Sequence, residues 1–346
     1  QEWKDGHRDF PVESVIFAGE PPKQLSKRGY CLVVMTGSVL PIGTDSVIPY
    51  EELSIEQGTA KIKKDLSFSA GQYVHPEGSD FKAGDELLRP GQILHAAAVG
   101  VTASQGYAEI LVGDLPKVCL VTTGNEIVEL GQNVLPHQIR RSNFYSLQTQ
   151  LSAYGVEQIE NVHLPDDPLK VQENLEYILS RFSVVIICGG VSAGKLDLIP
   201  RTLKALGIKE VFHTVAQKPG KPLWFGTGKN NQLVWGLPGN PISALVTLRR
   251  YVIPALFKAQ GYSLPAHQYA VLGEDWFKNN DLAQFLLVRL ESDQHGITQA
   301  YPIDPKNSGD LGALRLAQGF IEVNGTSGPF FKARCLPLYT WGRGDF

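Results

Sequence analysis

Three kinds of residue in one stretch of the chain have the chemistry to hold an anion between them: carboxylates beside turns, runs of glycine, and lysines flanked by prolines. The carboxylates are Glu126 in "VTTGNE" (121–126), Asp166 next to Asp167 and Pro168, and Asp197 just beyond "GGVSAG" (189–194). Gly189, Gly190 and Gly194 of that last run let successive backbone N–H groups point inward and cradle an oxyanion where a helix starts. Lys218 and Lys221 sit on the turn "KPGKP", and a second proline-glycine turn, "GLPGNP", carries Pro238 and Pro241. Carboxylates alone would repel a phosphate, and lysines alone would only bind it. Both together around a glycine loop suit a phosphorylated substrate with Mg2+ between its oxygens and the acids.

Each group also has a simpler reading. "GGVSAG" serves equally as a tight strand-to-helix turn. It is neither a Walker loop nor G-x-G-x-x-G, because Lys195-Leu196 break the required order. Asp166, Asp167 and Asp197 suit helix N-caps, Glu126 a solvated surface, and the two lysines a surface turn. Ser192 has no G-x-S-x-G elbow around it and makes a poor nucleophile. The eight histidines are scattered without metal-ligand spacing.

These residues need elements to position them. Between 115 and 262 the pattern alternates: the apolar "KVCLVTTG" and "SVVIIC" read as strands covered on both faces. "SNFYSLQTQLSAYG" (142–155) has helical spacing and a terminal Gly155, and "DDPLKVQENLEYILSRF" opens with capping residues and Pro168. "ISALVTLRRYVIPALFKAQG" (242–261) reads as a last long helix interrupted before Pro254. This predicts an α/β fold with a doubly wound, mostly parallel sheet. Ligands in such sheets bind outside the carboxyl ends of the strands, where all these loops fall. The flanks are β-rich, with "QILHAAAVGVTASQ" (92–105) as one short helix. The expected organisation is a β-rich domain over 1–76, a linker region over 77–114, the α/β domain over 115–262 and a small β barrel over 263–346.

Bulk properties narrow the function classes. A chain of 346 residues with 43% hydrophobic and 19% charged residues has the composition of a soluble globular protein of two or three domains. A net charge of −3 gives no nucleic-acid footprint. No apolar run approaches the ~18–20 residues that cross a bilayer. The four cysteines lack C-x-x-C spacing, which favours reduced thiols and a cytoplasmic location. The only methionine is Met35, so the chain is expected to begin inside a longer protein.

Taken together, "MTGSVLPIGTDSVI" (35–48), "GSDFKAGDELLRPG" (78–91), "VTTGNEIVELG" (121–131), "IRRSN" (139–143), "CGGVSAGKLD" (188–197), "KPGKP" (218–222) and "GLPGNPISA" (236–244) resemble the molybdopterin molybdotransferases, the MoeA proteins, which are related to the gephyrin E domain. The resemblance spans nearly the whole chain and implies an α/β domain of the molybdopterin-binding type. It implies Mg2+-dependent insertion of molybdate into adenylylated molybdopterin with release of AMP, in a homodimer whose cleft lies between subunits. Carried over by motif, Asp80, Glu126, Asp166 and Asp197 match acidic active-site positions, the last two as Mg2+ ligands. Thr36, Lys218, Pro238 and Pro241 match substrate-binding positions. Lys221, the loop with Gly189, Gly190, Ser192 and Gly194, Ser308 in "NSGDLGAL" and Arg289 complete the implied substrate contacts. Residues 77–114 read as what remains of the family's helical linker domain. The chain departs from the pattern at Asn125, at Arg141 where an acid is common, at Thr214 where some members are basic, and at Leu287 where an arginine is common. Those departures also fit a pterin-binding or scaffold homologue without catalysis.

Overall fold

The computed structural model describes residues 2–63, 66–114, 116–192, 197–262 and 268–342, in two compact units, Gln1–Leu87 and Leu88–Phe346. In the first unit, short strands closely punctuated by turns form one sheet in the order Cys31–Val34, Asp9–Ile16, Thr59–Ile62, Leu53–Glu56. The hairpin joining the last two turns at Gln57 and Gly58, both at positive φ (49° and 77°), as a two-residue hairpin turn requires. Its buried apolar residues are few: Ile16, Ala60 and Ile62.

The second unit contains the α/β layer. Its sheet runs Lys209–His213, Trp224–Thr227, Leu233–Leu237, Val184–Cys188, Val118–Thr123, Ile159–Leu164. Only Trp224–Thr227 opposes the common direction; Val118–Thr123, Ile159–Leu164, Val184–Cys188 and Leu233–Leu237 pair in parallel. The continuous apolar runs follow from two covered faces, since successive strand side chains alternate sides. Val118, Leu120, Ile186 and Cys188 pack against Phe144, Leu147 and Leu151 of helix Ser142–Ala153. Cys119, Val121, Val185 and Ile187 pack on the other face against Val171, Leu175 and Ile178 of helix Pro168–Arg181. That helix starts where expected: the Asp167 carboxylate accepts N–H groups of Leu169 and Lys170 at 3.0 and 3.1 Å, with Pro168 in the first turn. Gly155 closes helix Ser142–Ala153 at φ 86°.

The last long helix is interrupted as expected, by a widened turn. Pro241–Thr247 is α-helical, Leu248–Val252 is a π turn, and Ile253–Ala259 resumes the α-helix. Pro254 has no N–H to donate back to the preceding turn, which favours an inserted residue there. This places Arg249 and Arg250 against the C-terminal barrel. The Arg249 Nε donates to the Thr340 carbonyl at 3.0 Å, and the Arg250 Nε to Glu322 Oε2 at 2.8 Å.

The barrel itself closes through Ala283–Ser292, Thr298–Pro302, Gln268–Leu272, Cys335–Thr340 and Gly319–Val323, the last pairing back onto Ala283–Ser292. Leu287 is buried in it with Phe285, Phe320 and Tyr339, against Ile242 and Val246 of the α/β layer. Among the described residues no helix is long and apolar enough to cross a membrane.

Candidate active site

Four parallel strands end side by side, and the loop after each reaches one cavity of about 1260 Å3. Thr123, Gly124 and Glu126 follow the strand Val118–Thr123, and Asp166 follows Ile159–Leu164. Gly189, Gly190, Ser192 and Asp197 follow Val184–Cys188, while Pro238, Gly239, Asn240 and Pro241 follow Leu233–Leu237. Neighbouring parallel strands leave little room between these loops, so small residues are required. A Cβ on Gly189 would lie 2.8 Å from Thr123 Oγ1, and one on Gly190 3.0 Å from Ile199 Cγ1, while both glycines hold positive φ (101° and 66°). Beneath them, a Cβ on Gly236 would come within 2.7 Å of Val191 Cγ1. The Gly189 N–H is committed to the Leu237 carbonyl at 3.1 Å and is therefore not open to a ligand. Gly194 lies outside the described residues.

The two aspartates before Pro168 divide their work. Asp167 is the helix cap; Asp166 instead turns to the neighbouring loop, where its Oδ2 accepts the Asn125 N–H at 3.3 Å. Its own N–H donates to Asn125 Oδ1 at 3.1 Å, so Asn125 clasps the Asp166 loop in both directions. Asp197 stands at the N-cap position of helix Leu198–Ala205 but makes no capping hydrogen bond. Its Oδ2 is buried and has no hydrogen-bond partner among the described residues. The Glu126 side chain is exposed and folds back over Gly124, whose missing Cβ leaves it space.

Arg141 is a buried cation in the cavity wall, 5% exposed. Its Nε donates to Thr122 Oγ1 at 2.7 Å, Nη1 to Glu129 Oε2 at 3.2 Å, and Nη2 to the Val162 carbonyl at 2.9 Å and to Asn161 Oδ1. Thr122 Oγ1 lies 3.0 Å from His163 Nδ1. Burial, and then the Arg141 charge, hold the His163 imidazole below its ordinary range. The Tyr145 hydroxyl first, then the Leu130 N–H and Arg141, pull the Glu129 carboxyl down to about 2. Arg141 thus ties the strand ends together.

Other expected residues lie elsewhere. Lys218 and Lys221 are exposed and are not among the wall residues, although Pro222 of their turn is. Lys218 instead joins the barrel sheet beside Gln284. Gln217 holds the turn through donations from Nε2 to the Pro219 and Gly220 carbonyls at 3.1 and 3.2 Å. Ser308 supports the wall from behind: its Oγ accepts from Asn240 Nδ2 at 2.6 Å, and its neighbour Gly309 lines the cavity. Arg289 is exposed on the barrel, paired with Glu291 and 5.1 Å from the Tyr301 ring centroid. Thr36 and Asp80 belong to the first unit. Thr36 sits in the turn closed by Ser38 N–H to the Met35 carbonyl at 3.0 Å, and Asp80 Oδ2 lies 3.1 Å from His75 Nε2. Sequence reasoning missed Asn143, whose Nδ2 donates to the Gly239 carbonyl at 2.6 Å and pins one turn of the cavity. It also missed Arg140, which lines the wall. The signal for both was their place in the "IRRSN" segment, which forms the short strand Ile139–Arg140 and then the start of helix Ser142–Ala153.

Comparison with known proteins gives this cavity a context. Residues 119–258 match the family model "Probable molybdopterin binding domain", residues 2–106 "MoeA N-terminal region (domain I and II)" and residues 269–330 "MoeA C-terminal region (domain IV)". A molybdopterin molybdenumtransferase of Synechocystis is 36% identical over 98% of this chain and 85% of its own length. The chain belongs to the MoeA family. A second member, the molybdopterin molybdenumtransferase of Staphylococcus epidermidis, is 30% identical over 94% of this chain and 77% of its own. The molybdopterin biosynthesis MoeA protein of Pyrococcus horikosii superposes with a TM-score of 0.72 at 28% identity, covering 96% of this chain and 81% of that one. The cavity at the strand ends lies within the part matched by the molybdopterin-binding model, apart from the contributions of Gly309 and Leu311.

Proposed function

We propose that this MoeA-family chain is a molybdopterin molybdotransferase. Its cavity takes adenylylated molybdopterin and molybdate and releases AMP in a Mg2+-dependent reaction. The observation that carries the reading is the convergence of Glu126, Asp166, Asp197 and the "GGVS" loop on one cavity large enough for a pterin nucleotide.

The residues present fit Mg2+ of the kind that bridges substrate phosphates. No group of three or more His, Cys, Asp or Glu gathers among the described residues, which argues against an all-protein cage. Mg2+ typically uses one or two carboxylates plus phosphate oxygens. Asp166 and Asp197 share the cavity wall, and the buried, unpartnered Oδ2 of Asp197 is an acceptor in need of a cation. Held by these two carboxylates, Mg2+ would neutralise charge building on the phosphoanhydride oxygens. The chain's own groups do the rest. The amides of Gly190 and Val191 would meet the phosphate, and Asn125 fixes the position of the Asp166 loop. Glu126 is free to orient a water that adds across the phosphoanhydride. One P–O bond forms and the bridging P–O bond breaks, leaving AMP and the pterin monophosphate. Molybdate then takes up the two dithiolene sulfurs: two Mo–S bonds form, one Mo–O bond breaks, and that oxygen leaves as water with the two thiol protons. Thr36, Asp80, Lys218, Lys221 and Arg289 enter the same reading through a homodimer, which sedimentation analysis would test.

The experiment incubates the full chain with adenylylated molybdopterin, Mg2+ and molybdate and follows AMP. Molybdate-dependent release is expected, reduced about 10²–10³-fold by Asp197→Asn or Asp166→Asn, the scale of losing one group that stabilises transition-state charge. Pterin binding without AMP release would instead establish the scaffold reading. Undiminished release by both variants would remove the aspartates from the reaction.

A further inference from the structure

We propose that Arg140 binds the substrate's tetrahedral oxyanion in this cavity, either the phosphate of the pterin nucleotide or molybdate. The inference rests on the functional reading above and assigns it a binding residue.

The argument is one of charge and of committed donors. Glu126, Asp166 and Asp197 put three carboxylates on the wall, and a dianion entering among them needs a cation beside it. Among the described wall residues only Arg140 and Arg141 carry positive charge. Arg141 is buried, and each of its three nitrogens already donates: to Thr122, to Glu129, and to Val162 and Asn161. Lys218, Lys221 and Arg289 are not part of this wall.

Arg140 differs from its neighbour on each count. Its side chain is exposed and, among the described residues, makes one hydrogen bond, from Nη1 to the Gln132 carbonyl at 2.9 Å. A guanidinium has five donors in a planar fork, so an edge remains for a bidentate oxyanion. The backbone beneath it is fixed. The short strand Ile139–Arg140 pairs with Ile127–Val128, with Ile139 N–H donating to the Glu126 carbonyl at 2.8 Å and Arg141 N–H to the Val128 carbonyl at 3.0 Å. The same pairing ties Arg140 to the segment that bears Glu126. Two adjacent arginines therefore divide the tasks: one holds the strand ends together, and the other meets the ligand.

The test uses the full chain with AMP and sodium molybdate as separate probes, by calorimetric titration, for wild type, Arg140→Gln and Arg140→Lys. Arg140→Gln should weaken binding of one probe about 10–100-fold, the scale of a lost charge-assisted contact, with an unchanged melting temperature. Arg140→Lys should recover part of it, because a point charge replaces a fork. A weakened Kd for AMP identifies phosphate as the partner; a weakened Kd for molybdate alone identifies molybdate. Wild-type affinity of Arg140→Gln for both overturns the proposal. Should wild type bind AMP through Arg140 yet release none from the adenylylated pterin, the catalytic reading fails and the Arg140 assignment stands.

Discussion

Replacing Arg141 by methionine isolates what a buried cation contributes to this site. The hydrocarbon part of the side chain is kept, while the guanidinium's donations to Thr122, Val162, Asn161 and Glu129 are lost. Thr122 Oγ1 retains His163 as a partner, and Glu129, whose side chain is 43% exposed, regains water. Exposed Asn161 likewise regains water, which leaves the partly buried Val162 carbonyl as the group that loses a donor inside the protein. At about 1–3 kcal/mol for a buried group left unpaired, the cost is about 1–3 kcal/mol. At roughly 2–4 °C per kcal/mol for a unit of this size, the melting temperature should fall by about 2–12 °C. Two titrations accompany the loss. With the Arg141 charge gone, His163 keeps only burial as a cause of its depression and should titrate closer to 6.5. Glu129, held at about 2, gives stability that is full above 4.5 and lost as the pH falls toward 2. In the variant its carboxyl rises part of the way back, so the acid-dependent loss should be smaller and complete at higher pH. Thermal melts across pH, together with the His163 ring resonances by NMR, read all three effects. An unchanged melting temperature with an unmoved His163 would refute the reasoning.

Gly236→Ala places a Cβ 2.7 Å from Val191 Cγ1 and 3.1 Å from Trp224 Cβ, so the "GGVS" loop must shift. Denaturant titration should show a loss of about 1–3 kcal/mol, and AMP binding should weaken in parallel. Burial raises the Glu322 carboxyl pKa, but Arg250, Asn324 and Tyr339 outweigh it, and the net value lies below 4.5. Its contribution is therefore present above 4.5 and lost as the pH falls through the folded value. Glu322→Gln should lower stability at pH 7 and leave it nearly unchanged at the acid end of a pH series of melts. Burial pushes the Cys119 and Cys188 thiols up to about 12, whereas Cys335 is exposed. Thiol titration at pH 8 should therefore label Cys335 in the native protein, and Cys119 and Cys188 only on unfolding.

Much of this was legible because the strongest signals were local. The apolar "SVVIIC" announced a strand covered on both faces, and Asp167-Pro168 announced a helix start, because burial and capping act over a few residues. The loops after those strands could be named as a site from topology alone. What sequence could not supply was direction. Nothing local says that Asp167 caps while Asp166 reaches across to Asn125, since both are aspartates beside one turn. Nor does "IRRSN" say which arginine is buried. That depends on Thr122, Glu129, Asn161 and Val162, brought in from other strands and loops. The lysine turn shows the same limit: its prolines fix its local shape, but its pairing beside Gln284 of the barrel depends on a strand far along the chain.

The order of strands has a consequence for how the site comes into being. Val184 pairs with Leu233 on one side and with Val118 on the other, partners far away along the chain. None of the four cavity loops is complete within a single hairpin or helix-turn unit. Long-range pairings of this sort form late and slowly, after chain-closure entropy has been overcome. Ligand binding should therefore emerge only with the last pairing of the parallel layer, and recovery of AMP affinity during refolding should coincide with the slowest protection of its amides from exchange.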